Sequence, residues 1–301
     1  MSKIVVCGLV NMETTAPIDS FPLEYRPIDY KFFGVKSAPA GVGLNVSLAL
    51  KKLGDEVSLC SFCGEDSAAK VIKSYLEDNG IDSSNILMKN KYTAQSVVLY
   101  DAKGKRYIIC DLSDNQDISY DKSLFRSALC GADIACLCNI NYSAELLPLA
   151  KDEGVLIATD VHCLSDVNDE YNARFMRCAD ILFLSNENII GREEAFVKDI
   201  LALYNPRIVV VGMGDKGALL YTDNDKKFTF VPAVYTREVV NTVGAGDSLY
   251  SAFIHFYSKT RDALYSLKCA VWFASYKIGA KSASEGFLTE AELLSLMEGN
   301  N

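Results

Sequence analysis

Asn241-Thr242-Val243-Gly244-Ala245-Gly246-Asp247, continued by Ser248-Leu249-Tyr250-Ser251-Ala252-Phe253-Ile254-His255-Phe256, is the stretch from which the fold can be read outward. Its apolar residues recur at helical spacing, which predicts a helix over 246–258 and puts the glycines at its N-terminus. Small residues let the backbone approach a ligand, and the first N–H groups of a helix have no intrahelical acceptor. Together with the helix dipole they make an anion site. A carboxylate in the first turn, Asp247, can accept a proton from a hydroxyl attacking at the same place, as phosphoryl transfer requires. The same residues serve equally well as an ordinary helix start with a capping aspartate.

A second glycine cluster lies far upstream. Ala40-Gly41-Val42-Gly43-Leu44-Asn45-Val46-Ser47 opens a predicted helix over 44–53 that stops at Gly54. Bare backbone beside an asparagine amide, both donor and acceptor, suits a polyhydroxylated ligand; close helix packing explains the glycines equally. Around these clusters, apolar β-branched runs at 3–8, 57–63, 134–138, 155–160, 180–184 and 207–211 alternate with helical patterns at 66–79, 143–152, 168–177 and 193–203. Helices are also expected at 261–278 and 289–298. Strands buried on both faces and separated by helices predict a mostly parallel sheet between helical layers, a three-layer α/β/α sandwich in a single domain over 1–301. Residues 12–38 and 93–111 break the alternation. The second region reads as two strands, Gln95–Tyr100 and Arg106–Asp111, around the turn Asp101-Ala102-Lys103-Gly104, and both regions suit a small β-layer standing off the main sheet.

The chain has 301 residues, 50% of them hydrophobic, and a formal charge of -9, so a large core is affordable while a nucleic-acid or anionic-membrane partner is not expected. The N-terminal apolar run is too short for a signal peptide, and a cytoplasmic protein is expected. Ten cysteines are scattered through apolar runs. The lone pair Cys60-x-x-Cys63 lacks a second pair at zinc spacing, so small buried hydrophobes are expected rather than a metal site. His162 and His255 are too isolated for a metal cluster, and surface or core roles are expected for both.

Together the two glycine motifs resemble the paired signatures of the ribokinase-like (PfkB) carbohydrate kinases. Gly41-x-Gly43-x-Asn45-x-Ser47, with Gly54 and Gly64 behind it, is similar to the first; Asn241-Thr242-x-Gly244-Ala245-Gly246-Asp247, with Ser251–Ile254 behind it, is similar to the second. The resemblance implies an ATP-dependent kinase phosphorylating a primary hydroxyl of a small sugar. Asp247 would be its base, and the backbone of Gly244, Ala245 and Gly246 its anion hole. Asn11, Glu13, Gly41, Gly43 and Asn45 would bind the sugar, and the segments 12–38 and 93–111 would form a β-lid that pairs with a second subunit in a homodimer. Gly212-Met213-Gly214-Asp215-Lys216-Gly217 is followed by a strand-like Ala218–Tyr221 rather than a helix, so it is not a dinucleotide fingerprint. The resemblance lays Gly212, Gly214 and Gly217 along ATP, with Asn186 beside the nucleotide and Mg²⁺.

Departures from the pattern concern the cofactors. Ile189 stands where the Asn-x-x-Glu motif carries its glutamate, and Glu187 substitutes only if the backbone turns differently. Asn241 replaces the usual aspartate beside a monovalent-cation site, so K⁺ activation is expected to be weakened. Glu13 replaces an aspartate, and Gly212 stands where a threonine is usual. Two other readings stay open. Tyr30, Phe32 and Phe33 could stack on the base of a nucleoside, and the lost glutamate suits a non-catalytic sugar- or nucleotide-binding regulator.

Overall fold

In chain order the strands are β1 (Lys3–Cys7), β2 (Asn11–Pro17), β3 (Lys36–Ala40), β4 (Glu56–Gly64), β5 (Ile86–Asn90), β6 (Gln95–Tyr100), β7 (Arg106–Asp111), β8 (Ile134–Leu137), β9 (Leu156–Asp160), β10 (Ile181–Ser185), β11 (Ile208–Gly212), β12 (Gly217–Thr222) and β13 (Lys227–Pro232). The helices are α1 (Val42–Leu53), α2 (Ser67–Asp78), α3 (Lys122–Leu129), α4 (Asn141–Ala144), α5 (Leu147–Asp152), α6 (Glu170–Met176), α7 (Glu193–Tyr204), α8 (Ala245–Thr260), α9 (Ala263–Lys277) and α10 (Glu290–Glu298). This computed structural model describes residues 1–102 and 105–299, so Lys103 and Gly104 of the expected turn lie outside the described residues.

Nine strands form one sheet in the order β13-β12-β11-β10-β9-β8-β1-β4-β5. Its strands run parallel except at one end, where β12 and β13 pair antiparallel. β1 shows why the apolar runs are continuous: Ile4 and Val6 enter one core, Val5 and Cys7 the other, and all four are buried. The first core holds the apolar faces of α1, α2, α8, α9 and α10; the second holds those of α3, α5, α6 and α7. Helices therefore cover both faces, as expected for parallel strands.

The expected helix over 143–152 is broken into α4 and α5, with Pro148 in the first turn of α5, where its missing N–H costs nothing. His255 is a core residue: its Nδ1 lies 2.8 Å from Asp55 Oδ2, bracing α8 against the turn between α1 and β4. No described helix is long and apolar enough to cross a membrane.

Strands β3-β2-β6-β7 form a separate four-stranded sheet built from the two segments that broke the alternation. The chain enters it directly from β1. The strand order turns at β1, where the chain crosses to β4 on one side and later returns to place β8 on the other. Such a switch opens a crevice at the carboxyl ends of the strands, where open α/β sheets bind ligands.

Candidate active site

The two glycine motifs converge in this crevice. Asn45, in the first turns of α1, donates from Nδ2 to Asp247 Oδ2 at 2.7 Å across 202 residues of sequence. Burial pushes the Asp247 carboxyl above the ordinary carboxylate range, while the Asn45 hydrogen bond, His162 and Lys277 pull it back. The result is a stronger base than an exposed aspartate, already oriented by a charge-assisted hydrogen bond.

Their glycines differ in purpose. Gly41 has a φ of 103°, and a Cβ there would lie 2.5 Å from Leu9 O; a Cβ on Gly43 would lie 2.5 Å from Gly8 O. Both positions are filled by neighbouring backbone, so these two residues let α1 sit against the end of β1 and thereby place Asn45. At the start of α8, Gly244 takes the left-handed φ of 77°, and no side chain caps the helix. A Cβ on Gly246 would meet nothing within 4 Å. The backbone there faces open space, as an anion cradle needs.

On the side of the small sheet, Asn11 is buried and donates from Nδ2 to Ser96 Oγ at 3.0 Å. Glu13, Ser96 and Cys110 form one cross-strand row. Burial raises the Glu13 carboxyl, the Asp247 charge raises it further, and a hydrogen bond to Ser96 with nearby Lys277 and Arg106 partly offsets this. Asn11 Oδ1 and Asn45 Oδ1 are buried acceptors with no donor among the described residues. Leaving such an atom unpaired costs roughly 1–3 kcal/mol. Donor hydroxyls of a bound ligand would relieve that cost. Ser96 and Arg106, like Asp160 and His162 near Asp247, carried no motif in the sequence.

The nucleotide side is rebuilt. Asn186 follows β10 and is buried, and its N–H bonds to Gly212 O at 2.9 Å. Two successive turns run from Asn186 through Ile189 to Arg192, and they carry Ile189 into the core at 1% exposure. The carboxylate that meets Asn186 is Glu193, at the start of α7, accepting from Nδ2 at 2.8 Å. Burial would raise the Glu193 carboxyl, but the bonds from Asn186 and the backbone, with Lys216 nearby, leave it below its ordinary value. Glu187 is exposed and takes a bond from Cys163 Sγ instead, so it does not substitute for position 189. Gly212 and Gly214 carry no close contact that a Cβ would violate beyond ordinary packing, whereas a Cβ on Gly217 would lie 2.1 Å from Val231 O. Gly217 therefore shapes the turn between β11 and β12.

Metal fit differs between the two expected ions. Among the described residues no group of three or more His, Cys, Asp or Glu side chains is placed to hold a metal. Magnesium, which keeps waters and phosphate oxygens and needs only one or two carboxylates, is compatible with the single buried Glu193 and with Asp160. A monovalent cation at Asn241 would compete with the Lys277 ammonium, which already holds the neighbouring carbonyl. Asn241 Oδ1 already accepts from Val243 N at 2.9 Å, and its Nδ2 donates to Lys281 O at 3.0 Å. The neighbouring carbonyl, Val243 O, is taken by Lys277 Nζ.

Comparison with known proteins agrees with the geometry. The model of the pfkB family of carbohydrate kinases matches residues 1–290. Fructokinase-1 of Oryza sativa subsp. japonica is 25% identical over 290 residues, covering 87% of this chain and 88% of that protein. Among solved structures, a microbiome-derived acarbose kinase superposes with a TM-score of 0.88 at 23% identity, covering 99% of each chain. The Arabidopsis thaliana ribokinase complexed with ribose and ATP gives 0.82 at 20% identity, again covering 99% of each. The fold is thus ribokinase-like. The chain belongs to the pfkB family of carbohydrate kinases, phosphotransferases acting on sugars.

Proposed function

We propose that the chain transfers the γ-phosphoryl group of ATP to a primary hydroxyl of a small sugar, with Asp247 as general base. The observation that carries this is the Asn45–Asp247 hydrogen bond, which sets an oriented carboxylate beside two buried amide acceptors and an uncapped helix start. The sugar hydroxyls would donate to Asn11 Oδ1 and Asn45 Oδ1, and Glu13 would hold a further hydroxyl. Asp247 takes the proton late, as the O–P bond forms, because even a raised carboxylate cannot deprotonate an alcohol in the ground state. The amides of Gly244, Ala245 and Gly246 hold the charge of the transferred group, in a preorganised field that needs no rearrangement during the reaction. Bound Mg²⁺ would supply charge neutralisation on the ATP phosphates, beside Glu193, Asn186 and Asp160.

The small sheet acts as the lid. Its strand β7 is exposed throughout, and alternation sends Arg106 and Cys110 toward Glu13 while Tyr107 and Ile109 face away. That outer face, with Tyr107 58% and Ile109 51% exposed, suits a second copy of the chain in a homodimer. A sugar is favoured over a nucleoside. Tyr30 and Phe32 stack on each other at 6.1 Å between centroids and stand in solvent with Phe33, rather than lining the crevice.

ATP-consumption assays across pentoses, ketohexoses and nucleosides test the proposal. Turnover on a sugar with little on nucleosides is expected. Turnover confined to nucleosides would replace the substrate, and retained binding without turnover on any of them would make the chain a regulator.

A further inference from the structure

Lys277, the last residue of α9, is fully buried. Its Nζ donates to the carbonyl of Val243, the residue before Gly244, and among the described residues it makes no ion pair. The charged groups facing it come from four places: Asp247 on α8, Glu13 on β2, Arg106 on β7, and Glu285 in the segment after α9. A buried ammonium without a paired carboxylate is costly, and a fold retains one only where something compensates. Here the compensation is the backbone carbonyl together with the field of the reaction centre.

The surrounding segments are laced together at the same point. Val240 N and Asn241 N both donate to Ile278 O, at 2.9 and 3.0 Å, and Asn241 Nδ2 reaches Lys281 O. A Cβ on Gly244 would lie 2.9 Å from Ala283 O. The loop that delivers Gly244 to α8 is therefore clamped against the end of α9, with the ammonium at the centre of the clamp. This is where the resemblance led us to expect a monovalent cation, and where Asn241 is already committed to protein partners.

We propose that Lys277 is a positioning residue for phosphoryl transfer, its ammonium serving as a built-in cation behind the anion loop in place of a bound monovalent ion. By holding Val243 O it keeps the α8 amides turned toward the transferred group, and its charge acts on Asp247 beside them. Burial lowers its pKa to about 8, so the charge is present at neutral pH and lost in alkali. The inference rests on the kinase reading of the site but has a readout independent of turnover.

The experiment measures phosphoryl transfer and thermal stability for the native chain and for Lys277→Met, each in potassium, methylammonium and tetramethylammonium chloride. For the native chain, rate and Tm are expected to be the same in all three salts. Lys277→Met should lose about 10²-fold in kcat, the scale of removing one transition-state donor, with little change in sugar KM. Potassium or methylammonium should restore part of that rate and raise the Tm of the variant only. Potassium activation of the native chain, or a potassium-dependent rise in its Tm, overturns the proposal, as does a variant with undiminished kcat. If the variant does not fold, the native chain's response to potassium decides. If no sugar is phosphorylated, the function proposed above fails, and the Tm comparison still tests Lys277.

Discussion

Two helices of this protein begin with Gly-x-Gly; the first glycine of each makes room for neighbouring backbone, and the second glycines differ. At α1 the missing side chains make room for protein: the backbones of Leu9 and Gly8 occupy the places of the Cβ atoms of Gly41 and Gly43. At α8 the space beside Gly246 is open. The first start is a packing device whose product is the position of Asn45; the second leaves bare backbone beside open space at Gly246. Similar sequence patterns at two helix N-termini thus carry different physics, and only the neighbour across each glycine reveals which.

The contrast can be broken most severely at the group on which both helices converge. Asp247→Asn removes the proposed base while keeping the shape, so kcat should fall by about 10²–10⁴-fold with sugar KM nearly unchanged; a variant retaining a tenth of the rate would falsify the assignment. Next comes Gly246→Ala, whose Cβ would enter the open space beside α8 and meet nothing within 4 Å. Turnover should drop by about 10²-fold, on the scale of losing an oxyanion donor, at an unchanged melting temperature. A matching loss of stability would mean that Gly246, like Gly43, serves packing.

Asn45→Ala should cost about 10-fold or more in kcat/KM, because hydrogen bonds to charged groups contribute roughly 1.5–3 kcal/mol. It also tests the electrostatics. Asn45 lowers the pKa of Asp247, so its loss raises that pKa and moves the acid limb of the pH–rate profile to higher pH. An acid limb that stays in place would uncouple the two residues. The smallest catalytic effect is expected at Gly43→Ala. Overpacking against Gly8 should cost roughly 1–3 kcal/mol, seen as a lower Tm, while the properly folded fraction keeps most of its turnover.

Much of this was legible beforehand. Continuous apolar runs such as Ile4–Cys7 announced strands buried on both faces, and helix periodicity located α1, α2, α7, α8 and α10 to within a few residues. Asp247 and Asn45 were visible because glycine spacing is a local signal. The less legible features depended on contacts. Glu193 meets Asn186 only because two turns intervene, and nothing at positions 186–189 encodes that bend. Lys277 carries no signal in the sequence, since a basic residue in a last helical turn suits the helix dipole and usually faces water; only its burial marks it out. The purpose of Gly41 and Gly43 was ambiguous for the same reason, since their partners Leu9 and Gly8 lie across a tertiary contact.

The Asn45–Asp247 hydrogen bond also has a consequence in time. It joins residues separated by 202 positions, so it cannot form until the last quarter of the chain meets the first. Long-range contacts of this kind close late, because the entropy of a large loop must be overcome first. During synthesis, a chain whose N-terminal strands have already paired carries Asn11 and Asn45 but not Asp247, the proposed base. Catalytic competence therefore reports completion of the fold, and recovery of turnover after denaturation should lag recovery of helical circular dichroism.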